Sequence, residues 1–456
     1  MFIQHSMKQY KNWALAMVGT LSLAGAMTSC EDQPEKFELT GGTPVIHYIR
    51  PQDVAAKDSL LTEAFTGTPI CIVGENLTSI QQMYFNDKKA VLNTSYMTKN
   101  TLLVTVPAEV PASNTGKIYM INSAKDTTSF DFKVLVPAPV VSSLKNEWVA
   151  IGDEAVLQGQ YFVDDPNQPL SVTFTGINNS CNINVPYEDL HITENEVTFT
   201  VPEGAEQGQI EVTSIYGTGK SKFYFHDKRG IISDFDGPEN GNHRESSTNG
   251  LIPQGWNLAP TYSTEGGVDG YYIQFGDGTI ETEGGWVESL KLTFWCGNWN
   301  GDPMSIKSGP GAPIRNVLDV TDWANMSVKF EMCIPSANPW SAGAMQIMFV
   351  NNQQCANDSW QNNTYIHTST DGGLDLPRAL YRPWGATGSF DTGDKWITVT
   401  VPLADFIYND DGTKAPNPMS WSSFDSFIMW PINGGVAGTA CTPIFRYDNI
   451  RIVPNL

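Results

Sequence analysis

Four short stretches in the last half of the chain set flat aromatic rings among amides and glycines. SLKLTFWCGNWNG carries Trp295, Asn298 and Trp299, SANPWSAGA carries Trp340, NDSWQNNTY carries Trp360, and ALYRPWGATG carries Tyr381, Arg382 and Trp384. Such a set suits a neutral, polyhydroxylated ligand. A pyranose ring offers an apolar C–H face to the negative face of an indole, and its hydroxyls need planar amides and guanidinium groups to bond with. Indoles gathered in loops mark a binding surface, because exposed apolar area is otherwise kept small. The same anchors also occur in protein-binding patches, so an adhesin is an alternative.

Catalysis is the other alternative. A surface glycoside hydrolase on a jelly-roll fold would need two carboxyl groups about 5–10 Å apart. Glu281, Glu283 and Glu288 fall near one strand and Glu331 lies in SVKFEMCI, but none has a recognisable acid/base partner. Of six histidines, only His243 and His367 lie in this part of the chain, and no GxSxG, HExxH or phosphate loop occurs. The expectation is therefore a protein that is not an enzyme. Asp234, Asp236 and Asp448 are acidic residues at strand ends, which are more often solvated than metal-bound, and no metal or other cofactor is expected.

The elements that must carry these residues are strands. YYIQFG, SLKLTFW, SVKFEMCI, AMQIMFV, KWITVTVPL, FDSFIMW and FRYDNIRIV read as strands, and no stretch has helical caps with a 3.6-residue apolar period. In SLKLTFW, Leu292 and Phe294 share the inward parity, which turns Trp295 outward. Trp286, Trp323 and Trp421 each lead into a strand and read as structural, Trp396 as packing at a sandwich edge, while Trp256 is open. Residues 231–456 hold eleven of the thirteen Trp and 11 Lys plus Arg against 24 Asp plus Glu. This favours a neutral or cationic ligand over an anionic polymer. A domain of this size with so many strands suggests a jelly-roll-like β-sandwich at 229–456.

Upstream, the chain repeats itself. Pro44 opens PVIHYIRP and Pro139 opens PVVSSLKN; Pro107 closes LLVTVPAEV and Pro202 closes VTFTVPEGA, each pair 95 residues apart. Both copies have an apolar strand running to a glycine, Gly74 in ICIVGENL and Gly159 in AVLQGQYF. About seven short period-two runs per copy read as an immunoglobulin-like sandwich, at 43–137 and 138–228. The two copies hold one Trp, Trp148, and no cluster of titratable groups. The fold class is all-β: two Ig-like sandwiches followed by a larger one, with the first two as spacers.

The start of the chain is an address. Lys8 and Lys11 precede an apolar run from Ala14 to Met27, and Thr28, Ser29 and Cys30 follow. This is too short to span a bilayer as a mature helix and reads as a signal peptide over 1–29, with Met1 or Met7 as the start. Residues 31–42, with Glu31, Asp32 and Glu35, lack an apolar pattern and read with Cys30 as a tether. The 456 residues carry 27 Lys plus Arg against 49 Asp plus Glu, net −22, which speaks against nucleic acid and against charge-driven membrane attachment. The six cysteines after Cys30 lack the spacing of a zinc site and read as free thiols.

Three resemblances extend this. The small residues before Cys30 resemble the lipobox of bacterial lipoproteins, which implies lipidation at Cys30, and the acidic stretch behind it is similar to the export signal of Bacteroidetes lipoproteins facing the cell exterior. Anchoring to the outer membrane through that lipid alone is implied. The order of Pro, Gly-Glu-Asn-Leu and Val-Pro in the repeats resembles the IPT/TIG family over residues 43–228; the second copy has GQYF in place of GENL and an added DDPNQP. The whole mature chain resembles the surface glycan-binding lipoproteins of Bacteroidetes polysaccharide-utilisation loci. That resemblance implies a β-glucan such as xyloglucan or mixed-linkage glucan bound at the C-terminal domain on an aromatic platform, with Trp295, Asn298, Trp299, Trp340, Trp360, Tyr381, Arg382 and Trp384 as candidates by type and loop position. A TonB-dependent transporter with its SusD-like lipoprotein is the partner it implies.

Overall fold

The structure is a computed structural model that describes residues 39, 41–253, 260–285, 287–297, 303–351 and 374–456. It is almost entirely β; the α-helix among the described residues is one turn, Ile314–Val317. Two compact units are present, one ending at Val134 and the other starting at Leu135.

In the first unit, Val45–Pro51 pairs with Pro69–Glu75, which pairs with Thr101–Thr105. A second sheet sets Lys88–Lys89, Ile80–Phe85, Lys117–Asn122 and Thr127–Asp131 side by side. Ile70, Ile72, Met83, Phe85, Leu102 and Ile118 fill the space between them. The second unit begins with the same plan: Val140–Leu144, Glu154–Gln160 and Glu196–Thr200 in one sheet, Ser171–Gly176 and Ile210–Ser214 in the other. Phe174, Phe199 and Phe225 form its aromatic core, edge to face at 5.7 and 5.0 Å.

The repeated glycines have one physical cause. In each sandwich the first strand shifts register against the second, between Ile46 and Tyr48 and between Val141 and Ser143. The backbone of the bulged strand then lies against the glycine. A Cβ at Gly74 would sit 2.0 Å from the Val45 carbonyl oxygen, and one at Gly159 would sit 2.0 Å from that of Val140.

Beyond Phe225, two sheets enclose a larger core. One holds Thr261–Ser263, Tyr272–Phe275, Phe445–Pro454, Met326–Cys333 and Ile397–Pro402, with Ile231–Ser233 also pairing to Phe445–Pro454, so the opening and closing strands are neighbours. The other holds Leu292–Phe294, Ser426–Ile432, Ala344–Val350 and Arg378–Tyr381. Val328, Phe330, Ile347, Phe349, Phe427, Met429 and Tyr447 pack between them.

The alternate residues of Met326–Cys333 face away from that core, and two are charged. Lys329 and Glu331 are nevertheless buried, because Glu147 of the preceding sandwich reaches over them. Lys329 Nζ bonds Glu147 Oε1 at 2.5 Å, Arg451 Nη2 bonds Glu147 Oε2 at 2.8 Å, and Arg451 Nη1 bonds Glu331 Oε2 at 2.7 Å. Thr398 joins the two sides, its hydroxyl donating to Glu331 at 2.8 Å and accepting from the Glu147 amide at 2.7 Å. Trp148 lies beside this cluster, stacked on His226 at 5.2 Å.

Candidate functional site

The sheet containing Ala344–Val350 has an apolar outer face as well as an apolar inner one. Met345, Ile347, Phe349, Phe427 and Met429 point into the main core, while Met348, Val350, Ile428, Trp430 and Ile432 form a second cluster on the opposite face with Leu376. An outer face is ordinarily polar where it meets water, so an apolar one needs a function or a cover. Trp430 lies in this cluster with its Nε1 donating to the Val287 carbonyl at 2.9 Å, and the Lys291 ammonium is 4.5 Å from its ring centre. Trp295, half-buried, packs on the edge of the same cluster, on the outward side that strand alternation requires.

At this end of the sheet Trp421 is 45% exposed, the one Trp in the exposed class among the described residues. The Arg315 guanidinium sits 4.3 Å from its ring centre and is itself fixed by Asp425, at 2.6 and 3.2 Å. One face of the indole is thereby backed by a held cation. The sequence reading of Trp421 as structural is corrected here: it leads into Ser426–Ile432, but through a 3-10 turn, Trp421–Ser423, that leaves the ring at the surface.

The other candidates divide. Trp340 and Trp384 are core residues, 0% and 4% exposed, and not the exposed loop rings expected. Their loops fold back over the end of the sandwich. Trp340 Nε1 donates to the Ala342 carbonyl at 2.6 Å and its ring meets Phe445 edge-on at 5.3 Å; Trp384 Nε1 donates to the Gly343 carbonyl at 2.7 Å. Tyr381 belongs to the edge strand Arg378–Tyr381 rather than to a loop, half-buried, with its ring 6.2 Å from Trp340; burial raises its phenol to about 12. Arg382 follows it, half-buried, and donates from Nη2 to the Gly434 carbonyl at 3.0 Å. Asn298, Trp299, Trp360 and Cys30 lie outside the described residues, as do Trp256 and Trp286. Trp396 is half-buried, its Nε1 bonded to the Gly266 carbonyl at 2.6 Å.

A cleft of about 280 Å³ opens beside Arg382, lined also by Tyr408, Asp411 and Val436, which the sequence reading did not single out. No motif marks these residues; the two loops that carry them meet only in the fold.

A model of the xyloglucan-binding domain of surface glycan-binding protein B matches residues 225–454, which is 230 of the 456 residues. The chain belongs to this family. This surface glycan-binding protein is 38% identical to the one of the same B type from Prevotella bryantii, whose crystal structure is covered in full by 92% of this chain with a TM-score of 0.76. It is also 31% identical over 166 residues to an IPT/TIG domain-containing protein of Bacteroides ovatus. That match takes 35% of this chain and 33% of the relative, so the chain spans about a third of the relative's length.

Membership places it among the surface glycan-binding proteins. Glu288 pairs with Lys291 at 2.7 Å, and Glu331 is consumed in the buried cluster with Arg451 and Thr398. Among the described residues no three His, Cys, Asp or Glu side chains gather as a metal site. Among the described residues, Cys71, Cys296, Cys333 and Cys441 are thiols rather than halves of a disulfide, and burial pushes Cys296 up to about 11.

Proposed function

We propose that this protein captures a neutral plant-type polysaccharide, a β-glucan such as xyloglucan or mixed-linkage glucan, at the end of its C-terminal sandwich that carries Trp295 and Trp421. Trp295 and Trp421 contact the sugar rings, together with Trp299, Asn298 and Trp360, whose types suit the same task. Trp340 and Trp384 are core residues at the other end of the sheet and do not contact the sugar. The observation that carries this reading is the pairing of an exposed indole backed by a fixed guanidinium, Trp421 on Arg315, with a half-buried Trp295 at the same end of the sheet. A stacked sugar finds there a rigid apolar surface that loses little entropy on binding.

The chain is lipidated at Cys30 and held to the outer membrane, facing outward. Residues 30–42 serve as tether, 43–137 and 138–228 hold 229–456 away from the membrane, and a TonB-dependent transporter with its SusD-like lipoprotein receives the glycan. The net charge of the chain, −22, opposes attraction to anionic lipid or nucleic acid.

Native gels cast with xyloglucan, mixed-linkage glucan, laminarin, xylan or mannan test the reading on the chain from Glu31 onward. Retardation by a β-glucan, relieved in Trp421→Ala and Trp295→Ala, is expected. Unchanged migration in all five polymers would sink it. New reducing ends would favour a hydrolase, and capture of a host protein without sugar retardation an adhesin.

A further inference from the structure

The cleft beside Arg382 has the chemistry of a sugar subsite. Two loops build it, 409–414 and 433–436, and their backbones touch. A Cβ at Gly435 would sit 1.9 Å from the Asp411 carbonyl oxygen, and one at Gly434 2.6 Å from the Ala344 Cβ; both glycines have positive φ, at 72° and 102°. Gly434 N donates to the Asp410 carbonyl at 2.9 Å, and Tyr408 exchanges both backbone bonds with Arg378 of the edge strand, at 3.0 and 3.1 Å. The walls are therefore set before any ligand arrives.

Inside, the polar groups are only part-used. Arg382 lines the cleft and spends Nη2 on the Gly434 carbonyl, while its Nε is enclosed by the protein without a partner among the described residues. Asp411, which also lines the cleft, accepts at Oδ1 from the amide and hydroxyl of Thr413, at 2.9 and 2.6 Å, and no described residue bonds its Oδ2. Arg382 and Asp411 line one cleft without pairing to each other. The phenol of Tyr408, 37% exposed, and the side chain of Val436, 45% exposed, supply ring and apolar surface.

A guanidinium that donates and a carboxylate that accepts, facing one space, match two adjacent hydroxyls of a sugar, one accepting and one donating. The carboxylate disfavours an anionic ligand and the guanidinium a cationic one. At about 280 Å³ the cleft lies just under the ~300–1,000 Å³ of sites that hold a drug-sized ligand, a size for a ring rather than a chain.

We infer that this cleft is a second contact point for the captured polysaccharide, gripping one neutral pyranose with a vicinal diol between Arg382 and Asp411 against Tyr408. The inference rests on the glycan-binding reading above. The strand register fixes its place: Tyr381 opposes Met345 at one end of the sheet, while Val350 opposes Ser426 near Trp295 and Trp421 at the other. Val350 stands five residues along the strand from Met345, about 17 Å. A polymer laid along the sheet reaches both, whereas a short oligosaccharide reaches one.

Calorimetric titration of the chain from Glu31 with the retarding polymer, and with its oligosaccharides of increasing length, tests this. Tyr408→Ala and Asp411→Asn should each weaken polymer binding about tenfold, should flatten the gain in affinity with ligand length, and should leave the melting temperature in place. Wild-type affinity and length dependence in both variants overturns the cleft while leaving the glycan-binding reading intact. Absence of binding by the wild-type chain to any neutral polymer overturns the reading on which it rests. Should Asp411→Asn lower the melting temperature, Tyr408→Ala and Val436→Asp, both at exposed positions, decide the matter.

Discussion

Glu147 and Arg451 stand 304 residues apart in the chain and meet at 2.8 Å, the carboxylate of one sandwich against the guanidinium of the next. Both are buried, with Lys329 and Glu331 completing a group of two cations and two anions. Such a group contributes little net stability compared with an apolar packing, but removing one member leaves a buried charge uncompensated.

Glu147→Ala therefore leaves Lys329 and Arg451 facing Glu331 alone. A loss of about 3–5 kcal/mol is expected, read from urea unfolding of the chain followed by tryptophan emission. The double variant Glu147→Leu with Lys329→Met should recover a substantial part, and a single-variant loss under about 1 kcal/mol would show that the charges are hydrated.

Asp448 lies on the same side of the closing strand, fully buried, with Oδ2 unpartnered among the described residues. Burial raises its carboxyl well above the ordinary range, with Asp269, Glu331 and Asp236 adding to the rise. A carboxyl whose folded pKa is raised holds its proton while the unfolded chain releases its own, so its contribution to stability falls as pH climbs above about 4. Asp448→Asn should thus melt higher than wild type at pH 7.5, with the gap narrowing toward pH 4. A gap that widens on acidification would contradict the assignment.

The indoles separate into two classes by burial. Trp384→Ala opens a cavity and loses the bond to Gly343, so a loss of about 3–5 kcal/mol is expected. Trp421→Ala removes a surface ring while Arg315 keeps Asp425, and should change stability by no more than about 1 kcal/mol while weakening glycan retardation. Equal effects of both on stability would refute the division.

Gly74→Ala and Gly159→Ala each drive a methyl into a carbonyl oxygen at a bulge. Overpacking of this sort costs about 1–3 kcal/mol, measurable as a lowered denaturant midpoint. Gly67→Ala, with positive φ and open space around it, should lose less, because strain is its sole penalty.

Local pattern made some of this legible. Leu292 and Phe294 alternate inward and Trp295 outward because strand parity is a two-residue property. The repeat of proline and glycine pointed to two like sandwiches because the bulge demands glycine in both. Trp340 and Trp384 were misread as surface because their cover, Phe445 for one and the Gly438 backbone for the other, comes from far along the chain. Asp411 and Val436 escaped notice for the same reason. Glu147 carries no local sign that its partner is Arg451.

The buried charges around Glu147 set a rule for grafting. Moving the C-terminal sandwich onto another protein by cutting near residue 228 would strip Lys329 and Arg451 of Glu147 and take Trp148 away from beside Arg451. A transplant that starts at Leu135 carries its own seal. The exchangeable cassette is thus longer than the stretch that touches sugar, and a foreign Ig-like module in second place would need its own acid at the position of Glu147.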